Sequence, residues 1–218
     1  MSNNKNNIEK IHQSPSKDYE NSSKHYDKIL NPFLNHIRKA VTDWIIVNQP
    51  KNILDIGCGT GKQISLLPNN INVIGVDNSP AMLKIADKQA TGKCIEADAV
   101  NLPFQDNKFD LIISQFALHE KNMETINSEL KEIKRLLKPN GKFLIVDFDY
   151  PTKRTILSQI LGFGIYLIEK NAGDEHFGNY KSWMDSGGLE KIISDSGWKI
   201  FERQLFYKGN IHLTIWKN

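Results

Sequence analysis

Two cysteines, Cys58 and Cys94, are all that 218 residues contain, too few for a disulfide framework. No unbroken apolar stretch approaches the roughly 20 residues of a membrane-spanning helix. Lys/Arg runs and basic stripes interleaved with aromatics are also missing. The net charge of +3, from 28 basic and 25 acidic residues, is spread along the chain, so nucleic acid is not expected as a partner. The six histidines (His12, His25, His36, His119, His176 and His212) follow no ligand spacing, and no metal is expected. Residues 1–17 have no apolar stretch of the kind a secretory leader needs. Rich in Asn, Ser and Lys, they read as a disordered tail, and the expected location is the reducing cytoplasm. The remainder, 18–218, suffices for one domain with a sizeable core, at 39% apolar and 24% charged overall.

The chain is organised by a change of rhythm. Over 31–47, Phe33, Leu34, Ile37, Val41, Trp44 and Ile45 recur at three- and four-residue steps, one face of a helix that Pro50 ends. Short Ile/Leu/Val-rich runs follow at 52–56, 72–76, 93–97, 109–114 and 142–146, most bounded by Gly, Asn, Asp or Pro. Helical patterns separate several of them. One opens at Ser79-Pro80, an N-cap with proline in the first turn. Another carries Ile126, Leu130, Ile133 and Leu136 over 123–137 and ends at Pro139-Asn140-Gly141. This alternation predicts an α/β fold, doubly wound, with a mostly parallel sheet and helices on both faces. Beyond it, 155–168 is apolar nearly all round, 189–196 reads as a short helix, and 198–207 with 211–216 as a terminal hairpin.

The strongest local signal is Ile53-Leu54-Asp55-Ile56-Gly57-Cys58-Gly59-Thr60-Gly61, a buried strand entering a glycine turn ahead of a helix. Glycines there free the backbone for positive φ and leave room for a ligand, and the helix N-terminus beyond offers N–H groups to an anion. A purely structural turn is the bland reading. A nicotinamide-type turn needs Gly-x-Gly-x-x-Gly/Ala, and the last position is Lys62 or Ile64 here, so that reading fails. Asp77, at the end of the next strand and followed by Asn78, is placed to accept from both ribose hydroxyls. Taken alone it reads equally as a cap. Asp98-Ala99, after the third strand, offers an acceptor for an adenine amino group.

Together these motifs resemble the class I S-adenosylmethionine-dependent methyltransferases. The likeness continues through Phe109-Asp110-Leu111-Ile112-Ile113-Ser114 and Leu136-Leu137-Lys138-Pro139-Asn140-Gly141-Lys142, covering about residues 50–148. It implies a seven-stranded sheet with the last strand antiparallel, S-adenosylmethionine as cofactor and S-adenosylhomocysteine as product. It further implies Gly57, Cys58 (through its backbone), Gly59 and Gly61 along the methionine end, with Asp55 near the amino group. Asp77 and Asn78 fall at the ribose, Met82, Asp98 and Ala99 at the adenine, and Gln115 and Phe116 beside the sulfonium. Tyr26, in Tyr26-Asp27-Lys28-Ile29-Leu30-Asn31, looks like part of an N-terminal lid over the cofactor, the lid and first helix together spanning 18–48. The chain looks most like the small-molecule branch that includes the ubiquinone/menaquinone C-methyltransferases.

For the acceptor, His119 in Phe116-Ala117-Leu118-His119-Glu120 stands just past the fourth strand, where parallel sheets bind ligands, and is the expected general base. A capping histidine is the competing reading. Asn/Asp-Pro-Pro-Tyr/Phe, frequent where amide or base nitrogens are methylated, is absent; Ser114-Gln115-Phe116-Ala117 stands there instead. The expectation is methyl transfer to carbon, oxygen or sulfur of a small, apolar or aromatic acceptor. A protein that binds the cofactor as a sensor or scaffold is the alternative. Residues 150–185 read as a substrate cap, in which the apolar 155–168 fits a buried helix, a homodimer interface or a contact with the acceptor. His176, Phe177, Tyr180 and Trp183 are its pocket candidates.

Overall fold

The structure, a computed structural model, describes residues 17 to 217, with side chains from Phe33 onward. The tail expected at 1–17 lies outside these residues, apart from Lys17, which opens α1 (Lys17–Asn48). Tyr26 lies on α1 with its side chain outside the described set. The first half continues as β1 (Asn52–Ile56), α2 (Lys62–Ser65), β2 (Asn72–Asp77), α3 (Pro80–Gln89) and β3 (Cys94–Glu96). Then come β4 (Phe109–Gln115), α4 (Met123–Leu136) and β5 (Leu137–Phe148). The last third holds α5 (Ile156–Lys170), α6 (Asp174–Asp185), α7 (Gly188–Asp195), β6 (Lys199–Phe206) and β7 (Ile211–Lys217).

The strands form one sheet in the order β3-β2-β1-β4-β5-β7-β6. Five run parallel from β3 to β5, and β7 is antiparallel to both β5 and β6, as expected. From β1 the chain builds outward to β2 and β3, then returns to place β4 on the other side of β1. That reversal opens a crevice at the carboxyl ends of β1 and β4, where doubly wound sheets bind ligands.

Successive residues of a strand face opposite sides, so the apolar runs feed two cores. Leu54, Ile56, Ile112, Phe143 and Ile145 point to one face, under Leu130 and Ile133 of α4 and Ile192 and Ile193 of α7. Ile53, Leu111, Ile113, Leu144 and Val146 point to the other, where α1 lays down Ile37, Val41 and Ile45. Those three α1 residues are fully buried, each contributing about 1.5–3 kcal/mol.

Two elements differ from expectation. The apolar run at 155–168 does form a helix, α5, capped by Thr155, whose hydroxyl accepts from Ser158 N–H. Yet α5 is not a buried helix. Ile156, Leu157, Ile160, Phe163 and Leu167 are all exposed, and the side chains it buries are Ser158 and Glu169. It rests on α6 and on the short turn Tyr207–Gly209 before β7, where Asn210 Nδ2 donates to Ser158 O at 2.9 Å. The helix α6 has no clear signature in the sequence pattern.

Candidate active site

The glycine turn after β1 is tied to β2 through the N–H groups of Gly57 and Cys58, which both donate to Val76 O at 2.8 and 3.0 Å. Gly57 (φ 70) and Gly59 (φ 52) occupy the left-handed region that favours glycine. A Cβ at Gly57 would stand 2.8 Å from Ala117 Cβ, so the turn packs directly against the loop after β4. At Gly59 a Cβ would meet nothing within 4 Å, which leaves open space in front of the turn. Cys58 Sγ instead packs toward Gly75 of β2, leaving that residue only its backbone to offer a ligand. Gly61 caps α2, a single turn of four residues. The helix-terminus contribution expected there is therefore slight, because a macrodipole needs a longer run of aligned peptides.

Asp77, ending β2, braces this turn. Its Oδ2 accepts from Gly59 N–H at 2.8 Å and its Oδ1 from Ser79 N–H at 2.9 Å. Each oxygen keeps one further acceptor position. Ser79 caps α3 by accepting from Met82 N–H, which fixes the half-buried Met82 beside the cleft. Ala97 N–H donates to Asp77 O at 3.1 Å and seats the following loop alongside. There Asp98 Oδ1 accepts from Val100 N–H, with Asp98 exposed and Ala99 half-buried. Asn78 is exposed. Asp55 is buried, and that burial, reinforced by Cys94 and Asp77, pushes its carboxyl up to about 8. Open space at Gly59 and spare acceptors on Asp77 and Asp98, along one edge, fit an adenosyl cofactor.

Gln115 and Phe116 end β4 beside this edge. Phe116 holds φ 54, unusual for a residue with a bulky side chain, and its N–H donates to Val146 O at 2.8 Å. Its ring lies 5.6 Å from that of Phe148. His119 is 2% exposed. Its Nδ1 meets Asp147 Oδ1 at 2.6 Å, and its Nε2 faces Glu169 Oε2 at 3.5 Å. Asp147 is itself fixed by the N–H groups of Leu118, His119 and Phe148. Asp147, rather than the neighbouring Glu120, orients the ring.

Burial pulls the His119 imidazole down. The charge of Asp147, hydrogen bonds with Asp147 and Glu169, and the charge of Glu120 overcome it and lift the group to about 10. Burial instead raises Glu169, but its hydrogen bonds to His119 and His176 hold it down to about 2. Carboxylates on both sides of the ring favour the protonated imidazole, so a His119 base would first have to give up that proton.

The α5–α6 pair closes over this cluster. His176 Nε2 lies 2.5 Å from Glu169 Oε2. Phe177 stacks on Tyr180, and Tyr180 meets Phe148 edge-on at 5.5 Å. Burial, with Glu169 next in weight, raises the Tyr180 phenol to about 12. Trp183 does not join them. Fully buried in the core under β5, it donates from Nε1 to Phe148 O at 2.9 Å, so the pocket role expected for it is withdrawn. Its helical phase carries it past the cleft into the sheet's other core. Asp147 and Glu169 escaped notice in the sequence. A lone acid in an otherwise apolar helix, as Glu169 is, signals a buried polar partner.

A hollow of about 530 Å³, lined by residues 69–74, Lys93, Ile95 and Phe104, opens at the amino ends of β2 and β3. It lies at the opposite edge of the sheet from these groups and takes no part in the site.

Residues 54–145 match the family model described as a methyltransferase domain. A demethylmenaquinone methyltransferase from Staphylococcus aureus is 33% identical over 164 residues, covering 70% of this chain and 66% of that protein. Another from Thermotoga maritima is 28% identical over 184 residues, covering 78% and 80%. Among solved structures, magnesium protoporphyrin IX methyltransferase from Synechocystis with bound S-adenosylhomocysteine superposes with a TM-score of 0.57 at 17% identity, covering 83% of this chain and 81% of that one. The N-methyltransferase NodS from Bradyrhizobium japonicum gives 0.60 at 15%, covering 86% and 97%. At such identities the solved structures speak for the fold. Taken with the glycine turn and the acids at successive strand ends, these likenesses identify the chain as an enzyme of the class I S-adenosylmethionine-dependent methyltransferase family, resembling the menaquinone methyltransferases.

Proposed function

We propose that the enzyme methylates a small apolar or aromatic acceptor held between Phe116, Phe148, Phe177 and Tyr180, with His119 as the polar group facing it. One observation carries this reading. The contact between Gly57 and Ala117 sets the glycine turn directly beside the loop that holds His119, so donor and acceptor sides meet at the crevice between β1 and β4. Bound S-adenosylmethionine supplies an electrophilic methyl group on a sulfonium. The chain's share is to align and to exclude water, since displacement at that methyl needs no covalent enzyme intermediate. Gly57, Gly59 and Gly61 would line the methionine end, Asp77 the ribose, Met82 and Asp98-Ala99 the adenine, and Gln115 and Phe116 the sulfonium. Tyr26, on α1, would cover the cofactor.

Residues 150–185 serve as the cap in this reading. His119 is buried beneath α5 and α6, so an acceptor reaches it when that pair swings outward. The exposed apolar side chains of α5 support an apolar acceptor or a second copy of the chain as what this surface meets. The curated relatives methylate demethylmenaquinone by name, and an acceptor of that kind is the first to test. The experiment is a screen of quinols, phenols and thiols for formation of S-adenosylhomocysteine, repeated on His119→Asn. Turnover should fall while cofactor affinity holds. Full activity in the variant would reduce His119 to a structural role.

A further inference from the structure

We infer that His119, Glu169 and His176 form a site for one divalent transition cation, Zn²⁺ foremost, which latches the α5–α6 cap to the core. The absence of ligand spacing along the sequence had argued against a metal. The fold overrides that argument, because the donors come from three elements: the loop after β4, the end of α5, and α6. Their donor atoms all lie within 4.8 Å of one another. Two imidazoles and one carboxylate suit a borderline cation and leave a fourth position open. The ion displaces the proton that His119 otherwise holds on Nε2, so binding releases a proton and weakens as pH falls.

Three details favour an ion over a plain hydrogen-bonded cluster. First, His119 is already oriented as metal-bound histidines are. Its Nδ1 is engaged by Asp147, and that carboxylate is pinned by three backbone N–H groups, which leaves Nε2 aimed at Glu169. Second, the two rings stand nearly perpendicular, at 82° with centroids 5.5 Å apart, and both direct Nε2 at the same oxygen, Glu169 Oε2. Third, one of the three donor spacings already matches an ion's. Tetrahedral Zn²⁺ with ligands at about 2.0–2.2 Å sets its donors roughly 3.3 Å apart. His119 Nε2 and Glu169 Oε2 stand at 3.5 Å, whereas the 2.5 Å pair of His176 and Glu169 must open by roughly 0.8 Å.

Among the described residues one other group of three, Asp149, Glu190 and His212, has comparable donors. There Arg203 Nε already pairs with Glu190 Oε1 at 2.9 Å, and Asp149 Oδ2 accepts from Glu190 N–H. A guanidinium thus already neutralises one of its two carboxylates.

The ion's binding stands on the donors alone. Its effect on acceptor entry rests on the methyl-transfer reading, because the latch would hold the cap shut over His119. Two of the three ligands, Glu169 and His176, lie on the cap, so release of the ion frees both of its helices from the core loop.

The test uses the full chain, stripped with a chelator, dialysed, and titrated calorimetrically with ZnCl₂. A parallel titration with CoCl₂ is followed by its visible ligand-field bands. One equivalent should bind with a dissociation constant of micromolar or below. His176→Gln and Glu169→Gln should each weaken it by at least tenfold and abolish the cobalt bands, and Asp147→Asn by about 10–100-fold. His176 is partly exposed on a helix surface, so its variant should fold, which its melting curve checks. Failure of the stripped protein to take up Zn²⁺ at 100 equivalents overturns the site. Wild-type affinity in both His176→Gln and Glu169→Gln overturns it equally, because the ion then sits elsewhere. Neither readout depends on methyl transfer or on cofactor binding.

Discussion

Replacing Asp77 by alanine probes the cofactor side most directly. Its carboxylate has four acceptor positions. Gly59 N–H and Ser79 N–H use one on each oxygen, at 2.8 and 2.9 Å, which leaves one on each for the two ribose hydroxyls. A hydrogen bond to a charged acceptor contributes about 1.5–3 kcal/mol, so two contribute at least about 3 kcal/mol. That corresponds to a dissociation constant raised by roughly 150-fold. Calorimetric titration of wild type and Asp77→Ala with S-adenosylmethionine and S-adenosylhomocysteine, with NAD as control, measures it. Removing Asp77 also unties the glycine turn, so a second ligand separates the two effects. A 2′-deoxy analogue of S-adenosylhomocysteine should bind wild type about tenfold more weakly than the parent and show no such penalty in the variant. Unchanged affinity in Asp77→Ala, or a deoxy penalty that survives in it, refutes the ribose assignment.

Three other expectations concern stability. Asp55 holds its proton to about 8 in the folded chain against an ordinary value of 3.8, so between those values the unfolded state binds fewer protons. Its contribution therefore falls as pH rises from about 4 to about 8, by at most about 6 kcal/mol, and Asp55→Asn should flatten that slope in urea melts. Parallel pH profiles for variant and wild type would contradict it. Trp183→Ala should cost about 3–5 kcal/mol, measured by denaturant midpoint, because a fully buried ring and its bond to Phe148 O are lost. A cost under about 1 kcal/mol would place the ring at the cleft instead. The double change Ile160→Ser with Phe163→Ser should leave the melting point within about 2 °C, since both side chains face solvent. A large drop would mean that something covers this face.

The central sheet was readable because strands buried on both faces are nearly unbroken Ile, Leu and Val. Asn52–Ile56 matches its prediction residue for residue. The first part of β5 was not readable, since Pro139-Asn140-Gly141 carries turn chemistry. Leu137 joins the sheet only through its irregular pairing with Phe109. The helix α6 is short and mixed in character, and its spacing of 176, 177, 180 and 183 gains meaning only once α5 lies beside it. The same holds for the site. The glycine turn, Asp77 and His119 are local signals, legible one at a time. Asp147 and Glu169 acquire their roles from His119, from which they stand 28 and 50 residues away along the chain.

The contact between Gly57 and Ala117 has a consequence for how such a chain can change. At 2.8 Å from a Cβ that Gly57 does not have, Ala117 works as a gauge block between the turn and the loop that, in the proposed function, carry donor and acceptor. Thickening either position by one methyl group would wedge those halves apart by a fraction of an ångström to an ångström. In a reaction that depends on collinear approach, a shift of about 1 Å can lower the rate roughly a hundredfold. Position 57 is therefore held to glycine twice over, by its left-handed backbone and by Ala117, and on the proposed reading part of the enzyme's speed resides in an atom it omits.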